Sequence, residues 1–131
     1  MENELLLKPH HVAINVPDID AAIEWYGDVL GFAVERRDFI KGFRGRNALL
    51  KHGDFRIELF KNENELPRPE EDVPPPGTEM LGFRQIAFTV PDAQKWSEML
   101  EKKGADITMR RPDGTVLFIR DNSGNVIEFI S

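Results

Sequence analysis

The sequence predicts an α+β fold of two tandem βαβββ modules in a pseudo-twofold arrangement, with a curved mixed sheet that forms a cleft. The first observation is an internal repeat: His11-Val-Ala-Ile-Asn-Val-Pro-Asp18 matches Gln85-Ile-Ala-Phe-Thr-Val-Pro-Asp92. The second is that each half closes on a strand with a glutamate between apolar residues, Ile57-Glu58-Leu59 and Ile127-Glu128-Phe129. A repeat of half a domain buries a shared core and places equivalent residues around the axis.

The first module contains alternating and helical patterns in the order of a βαβββ unit. Alternation puts His11 and Asn15 on one face of the first strand. Asp18 and Asp20 are both plausible helix N-caps, and Gly31 is a natural C-terminal stop. The predicted elements are a strand at about 9–16, a helix to Leu30, and strands at about 33–39, 48–51 and 55–60.

The second module repeats this plan. Asp92 is expected to cap its helix, and Gly104 to end it. Pro112-Asp-Gly114 and Asp121-Asn-Ser-Gly124 supply turns. The predicted elements are a strand at about 83–90, the helix, and strands near 107–110, 116–120 and 126–130.

The segment at about 62–82 is rich in proline and acidic residues and is expected to link the modules. Proline disfavours both a helix interior and a strand ladder. The division is then module one at about 8–61 and module two at about 83–131, within a single domain of residues 1–131. A solvated connector is the favoured interpretation, and a flank of the binding site is the alternative.

Composition narrows the function classes. The formal net charge is −6 and the pI is near 5.1, which argues against a nucleic-acid partner, because such proteins need a basic face. The absence of cysteine excludes disulfides and thiolate metal sites. No apolar run approaches the roughly 20 residues of a membrane span, and the acidic N-terminus does not resemble a signal peptide. We therefore expect a cytoplasmic protein with no membrane partner.

The polar residues of the repeat are the candidate functional residues. A carboxylate such as Glu58 in an apolar strand costs several kcal/mol to bury unless it meets a cation or a metal. The alternative is a salt bridge with Arg56 or another arginine. Glu128 repeats the argument, and two such glutamates at matching places favour a metal. His11 is a potential ligand or a sheet-edge histidine, whereas His10 is expected to point to the opposite face in a structural role.

Four side chains would form the metal site: His11, Glu58, Gln85 and Glu128. The amide oxygen of Gln85 can coordinate a cation, although it is neutral. One nitrogen and three oxygens suit a single divalent ion, namely Ni, Co, Mn, Fe(II), Zn or Mg. Such an ion polarises a carbonyl and stabilises an enediolate, while a nearby glutamate moves a proton between adjacent carbons.

The chain resembles the vicinal oxygen chelate superfamily, which includes glyoxalase I, extradiol dioxygenases and bleomycin-resistance proteins, and it looks most like the small glyoxalase I-like bacterial proteins. The resemblance covers nearly the whole chain. It rests on the following segments: His11-x-x-Ile14-x-Val16, Trp25-Tyr26, Val29-Leu30-Gly31-Phe32, Ile57-Glu58-Leu59-Phe60, Gln85 to Val90, and Gly124-Asn-Val-Ile-Glu128.

The resemblance implies that the metal ligands are His11, Glu58, Gln85 and Glu128. Bacterial glyoxalase I has His, Glu, His, Glu at these places, and the eukaryotic type has Gln, Glu, His, Glu. This chain has the eukaryotic set with its modules exchanged, so pseudo-twofold symmetry would leave the site intact. Extradiol dioxygenases and fosfomycin transferases use two histidines, and here Gln85 replaces the second. Asn62 matches a glutathione-contacting asparagine, and Asn15 stands where glyoxalase I has an arginine; both are candidate substrate contacts.

The leading hypothesis is a metal-dependent lyase or isomerase, similar to lactoylglutathione lyase, that acts on a small molecule with vicinal oxygens. Glu58 and Glu128 are the candidate catalytic bases, and the choice between them is open. The alternative is a non-catalytic protein of the bleomycin-resistance type that binds a toxin or an antibiotic. A third possibility is an inactive relative in which Gln85 is a step in ligand loss. The resemblance also implies a homodimer, with ligands from one chain or from two.

Overall fold

The computed structural model describes residues 6–66, 77 and 81–131. The chain divides into two compact units, Met1–Asn64 and Glu65–Ser131. Each unit holds one helix and one four-stranded mixed sheet, which confirms the α+β class and the βαβββ modules. Most of the expected linker lies outside the described residues, and the single-domain organisation stays a prediction.

The first unit runs β1 (His11–Asn15), α1 (Ile19–Leu30), β2 (Ala33–Arg37), β3 (Gly45–His52) and β4 (Phe55–Asn62). Its strands lie in the order β1-β4-β3-β2. Strand β1 is parallel to β4, and the other neighbours are antiparallel. The first and last strands of the module are therefore adjacent, which brings the repeated polar residue and the repeated glutamate onto neighbouring strands.

The second unit runs β5 (Ile86–Thr89), α2 (Ala93–Lys102), β6 (Asp106–Arg110), β7 (Val116–Arg120) and β8 (Val126–Ile130). The strand order is β5-β8-β7-β6, again with only the first and last strands parallel among the neighbours described. Both units also carry a register shift in the second strand, between Val34 and Arg36 and between Ile107 and Met109. The repeat in sequence is thus a repeat in topology.

Both helices begin at the predicted caps. The side chain of Asp18 accepts from the backbone N–H of Ala21 at 3.0 Å, and that of Asp92 accepts from Lys95 at 3.2 Å. Each satisfies a first-turn donor that the helix itself leaves free. Asp20, the alternative cap, instead meets Arg46 at 3.2 Å. Gly31 closes α1 at φ 77°, a conformation that glycine adopts at low cost.

Each helix covers one face of its sheet with apolar side chains. Burial of such a side chain stabilises the fold by about 1.5–3 kcal/mol. In the second helix the small polar Ser97 is also buried and accepts from Arg110 Nε at 2.8 Å, while Trp96 and Met99 are half-buried. The core of the first unit includes Val16, Ala22, Tyr26, Leu50, Ile57 and Leu59, and that of the second Ala93, Leu100, Leu117, Ile119, Ile127 and Phe129.

In each unit, the sheet face that the helix does not cover carries the polar residues singled out from the sequence. In β1 the burial alternates, with His11, Ala13 and Asn15 exposed and the residues between them half-buried. This alternation is the one that the repeat predicted. In the described part of the chain, no helix is long and apolar enough to cross a membrane.

Candidate metal centre

Strand register brings His11 and Glu58 together in the first unit. Parallel pairing sets Ala13 opposite Glu58, and His11 lies two residues before Ala13 on the same face. Its Nε2 lies 3.4 Å from Oε1 of Glu58. Glu58 is only 7% exposed, so the glutamate is held in the sheet while the imidazole covers it from the edge strand.

Glu58 has a second partner that the sequence did not reveal. The side-chain amide of Asn47, on the neighbouring strand β3, donates to Oε2 of Glu58 at 3.4 Å, and Asn47 is 2% exposed. The alternative salt bridge to Arg56 is wrong, because Arg56 binds Glu35 at 2.7 Å instead. The hydrogen bond from Arg56 lowers the pKa of Glu35 below its ordinary value. The carboxylate of Glu58 is thus met by an imidazole and an amide.

His10 precedes strand β1, and its ring lies against that of His11. The two Nδ1 atoms are 2.7 Å apart, the distance of a hydrogen bond. His11 therefore has a neighbour at each ring nitrogen: His10 at Nδ1 and Glu58 at Nε2.

The second unit repeats the same placement with different chemistry. Ala87 lies opposite Glu128 in the parallel pair β5–β8, and Gln85 lies two residues before Ala87. The amide Nε2 of Gln85 donates to Oε1 of Glu128 at 2.7 Å. Gln85 and Glu128 therefore correspond in register to His11 and Glu58, as the sequence repeat predicted.

The two glutamates differ in their other neighbour. Asn47 pairs with Phe60, two residues after Glu58, and Val116 pairs with Ile130, two residues after Glu128. Position 116 thus corresponds to position 47, and it supplies a methyl surface where the first unit has an amide donor. Sequence alignment of the two halves alone does not reveal this difference, because Asn47 and Val116 lie outside the repeated segments.

Asn15 and Asn62 also come together. The amide of Asn62 donates to Oδ1 of Asn15 at 2.7 Å, across the pair β1–β4. Asn15 is on the face of His11, two positions beyond Ala13, so the asparagine pair lies along the same strand face as the metal-ligand candidates. The two candidate substrate contacts from the sequence, Asn15 and Asn62, are therefore neighbours in the first unit.

The spacing of His11 and Glu58 suits two ligands of one divalent cation. Ligands at about 2.1 Å from one ion, separated by angles of about 90–109°, are roughly 3.0–3.4 Å apart. The 3.4 Å between His11 Nε2 and Glu58 Oε1 fits this range. Gln85 turns its amide nitrogen to Glu128, and rotation of that amide by a half-turn would present its oxygen instead.

Among residues 6–66, 77 and 81–131, no group of three or more His, Asp or Glu side chains could by itself hold a metal ion. Each unit brings together two candidate ligands, His11 with Glu58 and Gln85 with Glu128. Within each pair, the imidazole or amide and the carboxylate are groups that can bind a divalent cation.

Comparison with known proteins defines the class. The family model described as the Glyoxalase/Bleomycin resistance protein/Dioxygenase superfamily matches residues 8–129. The chain belongs to this superfamily, as the repeat and the two polar pairs indicated.

The chain is similar in sequence or in fold to several known proteins. The chain is 32% identical over 130 residues to the lactoylglutathione lyase GLX1 of Arabidopsis thaliana. The aligned region covers 92% of this chain but only 42% of the length of that relative. It is 33% identical over 111 residues to the uncharacterized protein YwkD of Bacillus subtilis (strain 168), covering 83% of this chain and 81% of YwkD. A solved glyoxalase family protein from Enterococcus faecalis superposes with a TM-score of 0.78 at 27% identity, covering 97% and 99% of the two chains.

Proposed function

We propose that the protein is a metal-dependent lyase or isomerase of the glyoxalase type, acting on a small molecule with two neighbouring oxygens. The observation that carries the proposal is the strand register that the two units share. In each unit an alanine lies opposite the glutamate, and a side chain that can bind a metal lies two residues before that alanine. Each pair sets the carboxylate of a glutamate beside a side chain that can also bind a cation, which is the kind of arrangement that a divalent ion needs. The lactoylglutathione lyase relative supports the reaction class.

His11, Glu58, Gln85 and Glu128 are the proposed ligands. A divalent cation bound by them would supply Lewis-acid polarisation of the substrate oxygens. Two carboxylates offset the charge of the ion, and the imidazole and the amide complete the set. The structural basis is contact within each unit, at 3.4 Å for His11 with Glu58 and 2.7 Å for Gln85 with Glu128.

The proton-transferring group is proposed to be Glu128. Each carboxylate oxygen of Glu58 has a nitrogen near it. Nε2 of His11 lies near Oε1, and the side-chain amide of Asn47 donates to Oε2. This holds its carboxylate in one orientation. Glu128 has the Gln85 amide at Oε1, and Val116 in the place of Asn47 offers no donor. A carboxylate held at one oxygen can rotate to take a proton from one carbon and return it to the next.

Asn15 and Asn62 are proposed to bind polar groups of the substrate. Both are exposed or half-buried, and their mutual hydrogen bond at 2.7 Å leaves amide groups facing solvent on the face of His11. A homodimer and a cytoplasmic location belong to the same proposal, and the family resemblance and the composition support them.

The second candidate is a non-catalytic protein that binds a small toxin or antibiotic. Its support is an aromatic pair: the rings of Phe43 and Phe60 are 5.2 Å apart, and Phe60 shares its sheet face with Glu58 and pairs with Asn15. Half-buried aromatic side chains beside amides are typical of small-molecule pockets. Binding of such a ligand that is equal with and without metal would favour this function.

The test begins with metal analysis of protein purified without chelators, alongside His11→Ala and the control His52→Ala. We expect one divalent ion per chain in the native protein and the control, and its loss in His11→Ala. Turnover of hemithioacetals and other vicinal-oxygen substrates is then compared between Glu58→Gln and Glu128→Gln, with Glu128→Gln the more damaging. Native protein that takes up no Ni, Co, Mn or Zn would overturn the proposal.

A further inference from the structure

We propose that His10 is a positioning residue for the metal ligand His11, accepting the Nδ1–H of His11 and thereby leaving Nε2 free to bind a cation. This inference rests on the proposed metal site. Its structural basis is the 2.7 Å separation of the two Nδ1 atoms, with ring centroids 5.0 Å apart at 80°. This short polar contact fixes the orientation of the His11 ring.

The contact sets a condition on the protons. A hydrogen bond between two ring nitrogens contains one proton, so one histidine donates and the other accepts. If His10 donates, neutral His11 carries its proton on Nε2 and gives it to Oε1 of Glu58, 3.4 Å away. If His11 donates, its Nε2 presents a lone pair. Only the second arrangement can coordinate an ion at Nε2.

A bound cation therefore selects the arrangement in which His10 accepts. In going from the first arrangement to the second, the shared Nδ1 proton passes from His10 to His11. The proton on Nε2 of His11 is lost to solvent, and solvent returns one to Nε2 of His10, so that both rings stay neutral. Histidine ligands commonly donate their second ring N–H to an acceptor, which fixes the tautomer and raises ligand basicity. Here the acceptor is an imidazole next in the chain rather than a carboxylate.

The second unit supports this interpretation by contrast. The residue before Gln85 is Arg84, whose guanidinium has donors and no acceptor. An amide ligand has no tautomer to fix, so this position needs no acceptor. The histidine in front of the ligand occurs where the ligand is itself a histidine.

The experiment compares His10→Leu and His10→Asn, which have similar size but differ in that only asparagine has an acceptor oxygen. Zn affinity is measured by competition with a chromophoric chelator. We expect the dissociation constant of His10→Leu to rise by about 10–100-fold, and that of His10→Asn to stay close to native. His52→Ala serves as a histidine control, and His11→Ala as the loss-of-ligand reference.

A second measurement reads the tautomer directly. In the ¹⁵N-labelled, Zn-loaded protein, long-range ¹H–¹⁵N correlation should show the His11 proton on Nδ1. A proton on Nε2 of His11 would overturn the inference. So would native-like Zn affinity of His10→Leu in a series where His11→Ala loses the metal, and this result would leave the proposed function standing. Failure of the native protein to bind metal would overturn both.

Discussion

The two units share one register and differ in the groups that surround their glutamates. Glu58 lies between an imidazole and a buried amide, His11 and Asn47, whereas Glu128 meets the Gln85 amide and has Val116 beside it. The apolar faces and the helix caps are alike in both units. Topology therefore repeated the placement of the pairs. Single residues at matching positions gave Glu58 an imidazole and an amide as neighbours, where Glu128 has an amide and a valine.

The largest expected effect comes from exchanging the first ligand of each pair. His11→Gln turns the first pair into a copy of the second, and metal affinity should fall by more than about 100-fold, since even a residue that only hydrogen-bonds to a ligand is worth about 10–100-fold. Gln85→His should strengthen binding, because imidazole is the better ligand. Affinities are measured by calorimetry with Ni and Zn.

The double exchange, His11→Gln with Gln85→His, is the decisive control for this comparison. If the two pairs are equivalent, it should recover most of the native affinity. A double variant that binds as weakly as His11→Gln alone would mean that equal register does not give equal function.

A smaller effect is expected at the position where the two surroundings differ. Asn47→Val gives Glu58 the neighbour that Glu128 already has. Loss of the amide donor leaves Oε2 of Glu58 without its partner, which should lower the free energy of unfolding by about 1–3 kcal/mol and weaken metal binding by about tenfold. Urea unfolding and chelator competition measure the two quantities.

Val116→Asn is the matched change in the second unit and should leave metal affinity nearly unchanged, because Glu128 has no side-chain donor at position 116 in the native protein and so loses no hydrogen bond. Unaltered stability and affinity in Asn47→Val would show that the 3.4 Å contact contributes nothing.

The smallest effect concerns a charge pair found in the first unit. Glu35, in the β2 bulge, binds Arg56, and this hydrogen bond lowers the Glu35 pKa, with further lowering from the positive charges of Arg56 and Lys51. A lowered carboxyl pKa contributes stability that is present above the unfolded value, near 4.5, and is lost as the pH falls through the folded value.

Glu35→Gln should therefore lose less stability than the native protein between about pH 5 and pH 3. Thermal melts across this range measure the difference. Thr108→Val, at the corresponding bulge of the second unit, changes no charge and should keep the native acid dependence. Equal acid dependence of Glu35→Gln and the native protein would show that the pair is screened by solvent.

The sequence determined the helices, the strands and the correspondence between the two halves of the chain. Local patterns predicted the helices, their aspartate caps at Asp18 and Asp92, and the strands, because alternation, helical spacing and capping depend on neighbouring residues alone. The internal repeat also indicated which residues correspond, and the structure brings His11 to Glu58 and Gln85 to Glu128. That these pairs hold a metal stays a prediction.

Only the tertiary structure decided what else meets the glutamates. Asn47 reaches Glu58 through the pairing of β3 with β4, Arg56 turns to Glu35 across the sheet, and the ring of His10 folds onto His11. These contacts depend on strand register and side-chain rotamers, which no local pattern specifies. The sequence determined the positions on each strand, and packing between strands determined their partners.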